Sequence, residues 1–551
     1  LHTAYRRQRQ MCIRDSTFLL GSFFLLQAQP YTKHIAPIDN EKWWGCFVGI
    51  GNEMPFASNT PLYDLAKVNF NNEASPLLLS SQGRYVWSDE PFRFRLVNDT
   101  LVIESDHESP QVTTAGKNLR DAYLHASKTH FPANGKTPPA LFFKEPQYNT
   151  WIELMYNQNQ EDILNYAHNI IENGFPKGIL MIDDNWQRYY GNFEFKAEKF
   201  PDARAMTDEL HRLGFKVMLW ISPFVSADSP EFRDLADKGF LLKNKNGTPA
   251  VVNWWNGYSA CYDMTNPAAV ESLKQTLNEC MGKYGIDGFK FDAGDIAILA
   301  NGEYDYYDKN ADQNIFSQRW AELGLSYPFN EFRAAWKTGG LPLVQRIGDK
   351  DYSWYAVSML IPNMAICGML GYPYACPDMI GGGQFSSFLD IKEDEFNQEL
   401  IVRSCQVHAL MPMMQFSVAP WRILNRENME ICARYAQLHH TMGDYIYECA
   451  RHAAETGEPI LRHMEYSFPH SGFTECKDQF MLGDKYMIAP MITEGTHRTV
   501  NLPKGTWRDD QGKTFKGPKK IEIDVPLDRL PYYERCLLYT SDAADDMQCV
   551  D

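Results

Sequence analysis

The chain has 551 residues, 44% of them hydrophobic and 22% charged, a globular composition that excludes wholesale disorder. Lysine plus arginine number 53 against 70 aspartates plus glutamates, a net charge of −17, so the surface has nothing to offer a phosphate backbone and argues against nucleic acid as a partner. No stretch reaches the ~20 apolar residues of a membrane-spanning helix.

At about 150 residues per domain, the length allows three or four domains, or one large barrel with smaller companions. Residues 17–29 form a short apolar block behind Arg6, Arg7, Arg9 and Arg14, so residues 1–30 read as a secretory signal and predict a secreted or periplasmic protein. The outermost pieces, Arg6–Ser16 and Leu538–Asp551, resemble translated sequencing-adaptor read-through, so residues 536–551 are kept out of the fold argument with them.

Residues 31–146 alternate short apolar runs with Gly, Pro, Asn and Ser. Arg84–Trp87, Phe92–Val97 and Leu101–Ile103 have strand periodicity, which predicts an N-terminal β-sandwich ending near Pro138-Pro139. Over 147–454 strands alternate with helices. The strand candidates are Thr150–Met155, Gly178–Ile182, Lys216–Ile221, Gly288–Asp292, Leu341–Ile347 and Tyr372–Ala375. The helix candidates are Glu161–Asn173, Asp202–Leu213, Pro230–Lys238, Pro267–Tyr284, Trp354–Leu370 and Glu393–Leu410. That rhythm over about 300 residues suits an α/β fold, a (β/α)8 TIM barrel, with a doubly wound open sheet as the competitor. No G-x-G-x-x-G follows an early strand, so a dinucleotide site lacks support. Residues 455–535 return to short strands (Phe480–Gly483, Tyr486–Pro490, Thr499–Leu502, Ile521–Val525) and predict a small C-terminal β-domain.

The twelve cysteines form no C-x-x-C pair; Cys46, Cys261, Cys367, Cys376 and Cys405 read as buried thiols, and His439-His440 as one surface and one core residue. No metal ligand set is apparent, and no cofactor is expected. Chemistry concentrates instead at strand ends, the rim where a barrel of this kind carries its reactive groups. One strand ends at Asp183-Asp184. Another carries Lys290 and Asp292 two apart, hence on one face. A third ends at Asp349-Lys350-Asp351, and Asp378 follows a fourth. Each acid alone could be a helix N-cap. Four together would repel unless Lys290, Arg333, Arg346 and a polyhydroxyl ligand offset them. Two carboxylates facing one glycosidic bond are the minimum for its hydrolysis. Lys290 favours the ionised form of Asp292, which suits a nucleophile, while an acid on a loop suits the proton donor.

The stretch Gly285–Gly294 (GIDGFKFDAG) resembles the nucleophile strand of glycoside hydrolase family 31, and Gly348–Trp354 resembles that family's acid/base segment. Pro377–Gly382, Glu399–Arg403 through Met411–Ser417, and Asp478–Gly483, Ala489-Pro490 and Leu502–Trp507 resemble its later elements in order. The resemblance covers about 150–535. It implies Asp292 as nucleophile, Asp349 as acid/base with Asp351 as rival, and Arg333 as a substrate-binding arginine. Ile182–Trp186, Trp254–Gly257, Met369–Pro373 and Met414–Ser417 before Pro420-Trp421 resemble the branch of the mammalian myogenesis-regulating glycosidase, an α-galactosidase. Gln415-Phe416-Ser417 departs from the Arg-Asn-His usual in α-glucosidases. The implied activity is that of a retaining exo-α-glycosidase on small or oligosaccharide substrates, most like an α-galactosidase. The alternatives are α-glucosidase, α-xylosidase, sulfoquinovosidase or a non-catalytic sugar binder. The expected substrate contacts are Asp183, Asp184, Trp220, Asn256, Lys290, Arg333 and Asp378, with Trp186, Trp254, Trp255 and Trp421 as stacking candidates.

Overall fold

The computed structural model describes residues 31–392 and 395–536. The signal-like segment, both adaptor-like ends and the first two residues of the helix expected over 393–410 lie outside the described residues.

Two four-stranded antiparallel sheets make the N-terminal unit. One joins Tyr31–Ile35, Thr100–Ser105, Arg93–Val97 and Tyr63–Asp64; the other joins Trp43–Phe47, Ala74–Ser80, Arg84–Trp87 and Gln111–Thr114. In Arg93–Val97 the alternation is literal, Phe94 and Leu96 buried and Arg95 and Val97 exposed, as a sheet with one wet face requires. Ala74–Ser80 is buried along its whole length, and it begins by pairing Ala74 with Trp336 of the barrel. A helix the β-rich reading lacked, Leu119–His130, follows; the Asn118 side chain accepts the Asp121 N–H at its start.

The barrel strands are β1 (Gln147–Asn149), β2 (Ile179–Ile182), β3 (Lys216–Ile221), β4 (Gly288–Phe291), β5 (Phe329–Phe332), β6 (Gln345–Arg346), β7 (Ala375–Cys376) and β8 (Gln415–Phe416). All pairings are parallel, and the order β7-β6-β5-β4-β3-β2-β1-β8 brings the two ends of the ladder together. The Ile380 N–H donates to the Gln415 carbonyl at 2.9 Å across that seam. The sheet is thus a (β/α)8 ring and not an open doubly wound sheet. The expected strand Thr150–Met155 is a correction: pairing stops at Asn149, whose side chain accepts the Trp151 N–H at 2.8 Å and opens the short helix Trp151–Leu154. β5 went unread because Asn330 and Glu331 interrupt its apolar run; both are buried, and Asn330 donates to the Tyr327 carbonyl. Leu341–Ile347 pairs only at Gln345 and Arg346.

After the 31-residue helix Arg426–Thr456 the chain enters a six-stranded antiparallel sheet of Leu461–Arg462, Phe480–Leu482, Tyr486–Ile488, Tyr532–Cys536, His497–Asp509 and Thr514–Asp524. Arg403, buried on a barrel helix, ties it down by donating to the carbonyls of Val525, Gly495, Pro526 and Arg529. Among the described residues no helix is long and apolar enough to cross a membrane. Cys46, Cys261, Cys367, Cys376 and Cys405 are buried thiols.

Candidate active site

A cavity of about 770 Å³ opens where the barrel strands end, and Asp183, Asp184, Trp220, Lys290, Asp292, Arg333 and Asp349 line it together. Asp292 is placed by its strand: its N–H continues the β3–β4 ladder to the Ile221 carbonyl at 2.8 Å. Its Oδ1 accepts from Arg333 Nε (2.9 Å) and the Ala293 N–H (2.8 Å), and its Oδ2 from the Trp220 indole N–H (2.9 Å). Trp320 holds the main-chain carbonyl of Asp292 from behind. Burial alone would push this carboxyl up, but Arg333, Lys290 and Arg346 and the Trp220 hydrogen bond hold it well below the usual carboxylate range.

Arg333 follows β5 directly and forks onto Asp295, with Nη1 to Oδ1 at 2.9 Å and Nη2 to Oδ2 at 2.5 Å. Its guanidinium lies 5.3 Å from the Trp255 ring centroid. Arg346 of β6 donates through Nη1 to Asp349 Oδ1 and to Asp378 Oδ1, both at 2.7 Å. The Asp349 side chain keeps 38% of its surface exposed, against 13% for Asp292. A Cβ at Gly383 would stand 2.7 Å from Asp378 Oδ1 and 2.9 Å from Asp349 Oδ1, so a side chain there would displace the two carboxyl groups; the glycine lets that loop lie against both acids.

At the cavity floor Lys290 Nζ donates to Asp183 Oδ2 at 2.6 Å, both fully enclosed. Asp184 accepts from the Asn185 N–H, Tyr190 Oη and Asn256 Nδ2. Burial, and next the neighbouring Asp183, push its carboxyl up to about 7. Among the described residues no group of three or more His, Cys, Asp or Glu is arranged to hold a metal.

Several expected contacts are corrected. Trp186 is fully buried, donates to the Trp220 carbonyl and packs on Phe195, so it is core. Trp254 packs between Phe224 and Tyr190, with its indole N–H on Ser259; it backs Trp255, which lines the cavity. Trp421 packs on Tyr166 and Phe175 and borders a different cleft with Glu172 and Gly174. Asp378 is fully buried and accepts from Arg346 and the Lys350 and Gly383 N–H groups, so it holds protein groups and not a sugar. Asp351 is outside this cavity and accepts from Ser353 at a helix start. Asn256 does not line the cavity and reaches it through Asp184, Tyr190 and Tyr156, whose hydroxyl donates to Asn256 Oδ1 at 2.8 Å.

Sequence reading passed over Asp295, Tyr190, Tyr156, Trp151, Asn71 and Phe385. Asp295 carried a signal, lying on the loop three residues past Asp292. Tyr156, Trp151 and Phe385 form an aromatic cluster on the rim, with ring centroids 5.3–5.5 Å apart. Asn71 comes from the N-terminal unit, and nothing in its local sequence marks it.

The family 31 glycosyl hydrolase TIM-barrel domain matches residues 145–449, and the family 31 C-terminal domain matches 457–536. The myogenesis-regulating glycosidase of Mus musculus is 31% identical over 423 residues, 75% of this chain and 59% of that protein. The α-xylosidase XylQ of Lactiplantibacillus pentosus is 23% identical over 95% of this chain and 68% of its own length. Among solved structures, a family 31 dextranase of Flavobacterium johnsoniae complexed with glucose has a TM-score of 0.80 at 19% identity, covering 92% of this chain and 67% of that one. The chain thus spans about three fifths of the mouse relative. With the barrel match alone covering more than half of its residues, the chain belongs to glycoside hydrolase family 31.

Proposed function

We propose that the chain is a retaining exo-α-glycosidase acting on terminal α-galactosides. The observation that carries this reading is the contrast between two carboxyl groups lining one cavity. Asp292 is enclosed and held ionised by cations, and Asp349 is half open with a single arginine contact. In the first step an Asp292 oxygen attacks the anomeric carbon as the glycosidic C–O bond breaks, and Asp349 gives its proton to the leaving oxygen. In the second, Asp349 takes a proton from water, whose oxygen displaces Asp292 from the sugar and restores both carboxyl groups. Arg333 and Trp220 have no proton to exchange; they fix the attacking carboxylate before the sugar arrives.

Two features support galactose. Asp183 and Asp184 both line the cavity, and, beside the protein donors they already hold, their carboxyl oxygens would accept from neighbouring hydroxyls of the sugar. Gln415, Phe416 and Ser417 are all buried, and none lines the cavity, so the end of β8 offers the sugar neither the cation nor the imidazole of the Arg-Asn-His pattern. The signal-like start supports action outside the cytoplasm. The test is a panel of aryl α-glycosides with the product anomer followed by NMR. The expected result is turnover of the α-galactoside with α-galactose released first, and a loss of roughly 10³-fold or more in Asp292→Asn. Release of the β-anomer would overturn retention, turnover confined to the glucoside or xyloside would overturn the sugar, and an inert wild type would overturn the enzyme.

A further inference from the structure

The loop Asn69–Glu73 of the N-terminal unit reaches the back of the site. Phe70 and Asn71 both hold left-handed backbone, φ 51° and 58°, which is strained for a phenylalanine. The Asn71 main-chain carbonyl accepts from Arg333 Nη1 at 2.8 Å. Asn72, which is buried, turns its amide the other way: Nδ2 donates to the main-chain carbonyls of Arg333 at 3.2 Å and Arg346 at 3.5 Å. Those two arginines leave neighbouring strands, and one grips Asp292 while the other grips Asp349. Gly348, the residue before Asp349, lies so close that a Cβ there would stand 3.0 Å from the Asn71 carbonyl oxygen and 3.2 Å from Asn72 Oδ1. Asn72 is itself anchored, its carbonyl accepting from Asn69 Nδ2 at 2.9 Å, while the Glu73 carbonyl takes the Val48 N–H.

We propose that Asn72 is a positioning residue: by bridging the main chains of Arg333 and Arg346 it sets where the nucleophile and the acid stand relative to one another. This rests on the reading of Asp292 and Asp349 given above. The lever is steric as well as polar. Each arginine is fixed at its carboxylate end by ion pairs, so a shift of either backbone carries its aspartate with it.

The test compares Asn72→Ala with Val48→Ala in the full chain. Val48 is buried in the same unit and hydrogen-bonds to the loop only through its backbone. Thermal melting, kcat, KM and the pH profile are read on two aryl α-galactosides with good and poor leaving groups. The expected result for N72A is a kcat at least tenfold lower on both substrates with KM within threefold. Its acid limb should also move to higher pH, because a displaced Arg333 no longer holds the Asp292 carboxyl down. V48A should lower the melting temperature and leave kcat and the acid limb where they were. Should N72A fail to fold, Asn72→Ser, which loses less volume and shortens the donor, carries the same comparison. An N72A or N72S enzyme with kcat within twofold of wild type and an unmoved acid limb overturns the proposal. An active Asp292→Asn variant would instead overturn the reading beneath it.

Discussion

Two buried acids make the sharpest predictions at the scale of single residues. The Glu73 carboxyl is wholly enclosed with no hydrogen-bond partner from any other residue, and burial pushes it up to about 8 against the opposing pull of Arg333, Arg346 and Lys350. A carboxyl raised on folding contributes stability that is fully present below its unfolded value and lost as pH climbs through the folded one. Glu73→Gln lacks that loss. Its unfolding free energy relative to wild type should therefore rise between pH 5 and pH 8, by up to ~1.4 kcal/mol per unit, measured by denaturant titration. Asp184 titrates near 7 at the cavity floor. If its anion accepts sugar hydroxyls, KM should fall as pH rises through 7 in the wild type and stay flat in Asp184→Asn. Among the site residues, Asp183, Lys290, Asp292 and Asp349 were legible because strand ends in a parallel barrel converge, whereas Arg333, which follows an unread strand, was placed only through the family resemblance. Trp186 and Trp421 misled for a physical reason: an aromatic ring fills a core as readily as it stacks on a sugar, and sequence does not say which neighbours arrive.

At the scale of elements, the hairpin of Val251–Trp254 and Gly257–Cys261 carries the cavity's exposed aromatic wall. Its turn places Trp255 over Arg333 and sends Asn256 to Asp184. Trp255 is about half exposed (49%), so its removal costs little packing. Trp255→Ala should raise KM several-fold, in keeping with a cation–π and stacking contribution of about 1–2 kcal/mol, while the melting temperature moves little. The Asn256-Gly257 pair was a readable turn signal, yet it entered the argument only as part of a family motif. The barrel strands β5 to β8 were harder. At two to four residues each they are too short to show periodicity, and only pairing with distant neighbours defines them. Long helices were the reverse case: Ala203–Leu213 and Pro267–Tyr284 start at side-chain caps from Asp202 and Asn266 and end at glycines, all visible in the sequence.

For the whole molecule, the order of a β-rich unit, a barrel and a second β-rich unit could be read from changing periodicity. Their mutual dependence could not, because it resides in contacts such as Asn71 to Arg333 between residues 262 apart. A chain shortened to start after residue 118 would lose that loop along with the strand opening at Ala74. It should show no turnover of any aryl α-glycoside even where it stays soluble, an outcome checked by assay beside circular dichroism. The ring itself is unevenly tied. β4, which delivers Asp292, is registered over four residues with each neighbour, whereas β6, which leads to Asp349, pairs at one position with β5 and two with β7, next to the Ile380–Gln415 seam. On the roles proposed above, the nucleophile therefore stands on a strand paired along its whole length and the proton donor just past one that is barely paired, so the same main-chain displacement would breach fewer strand contacts on the donor's side.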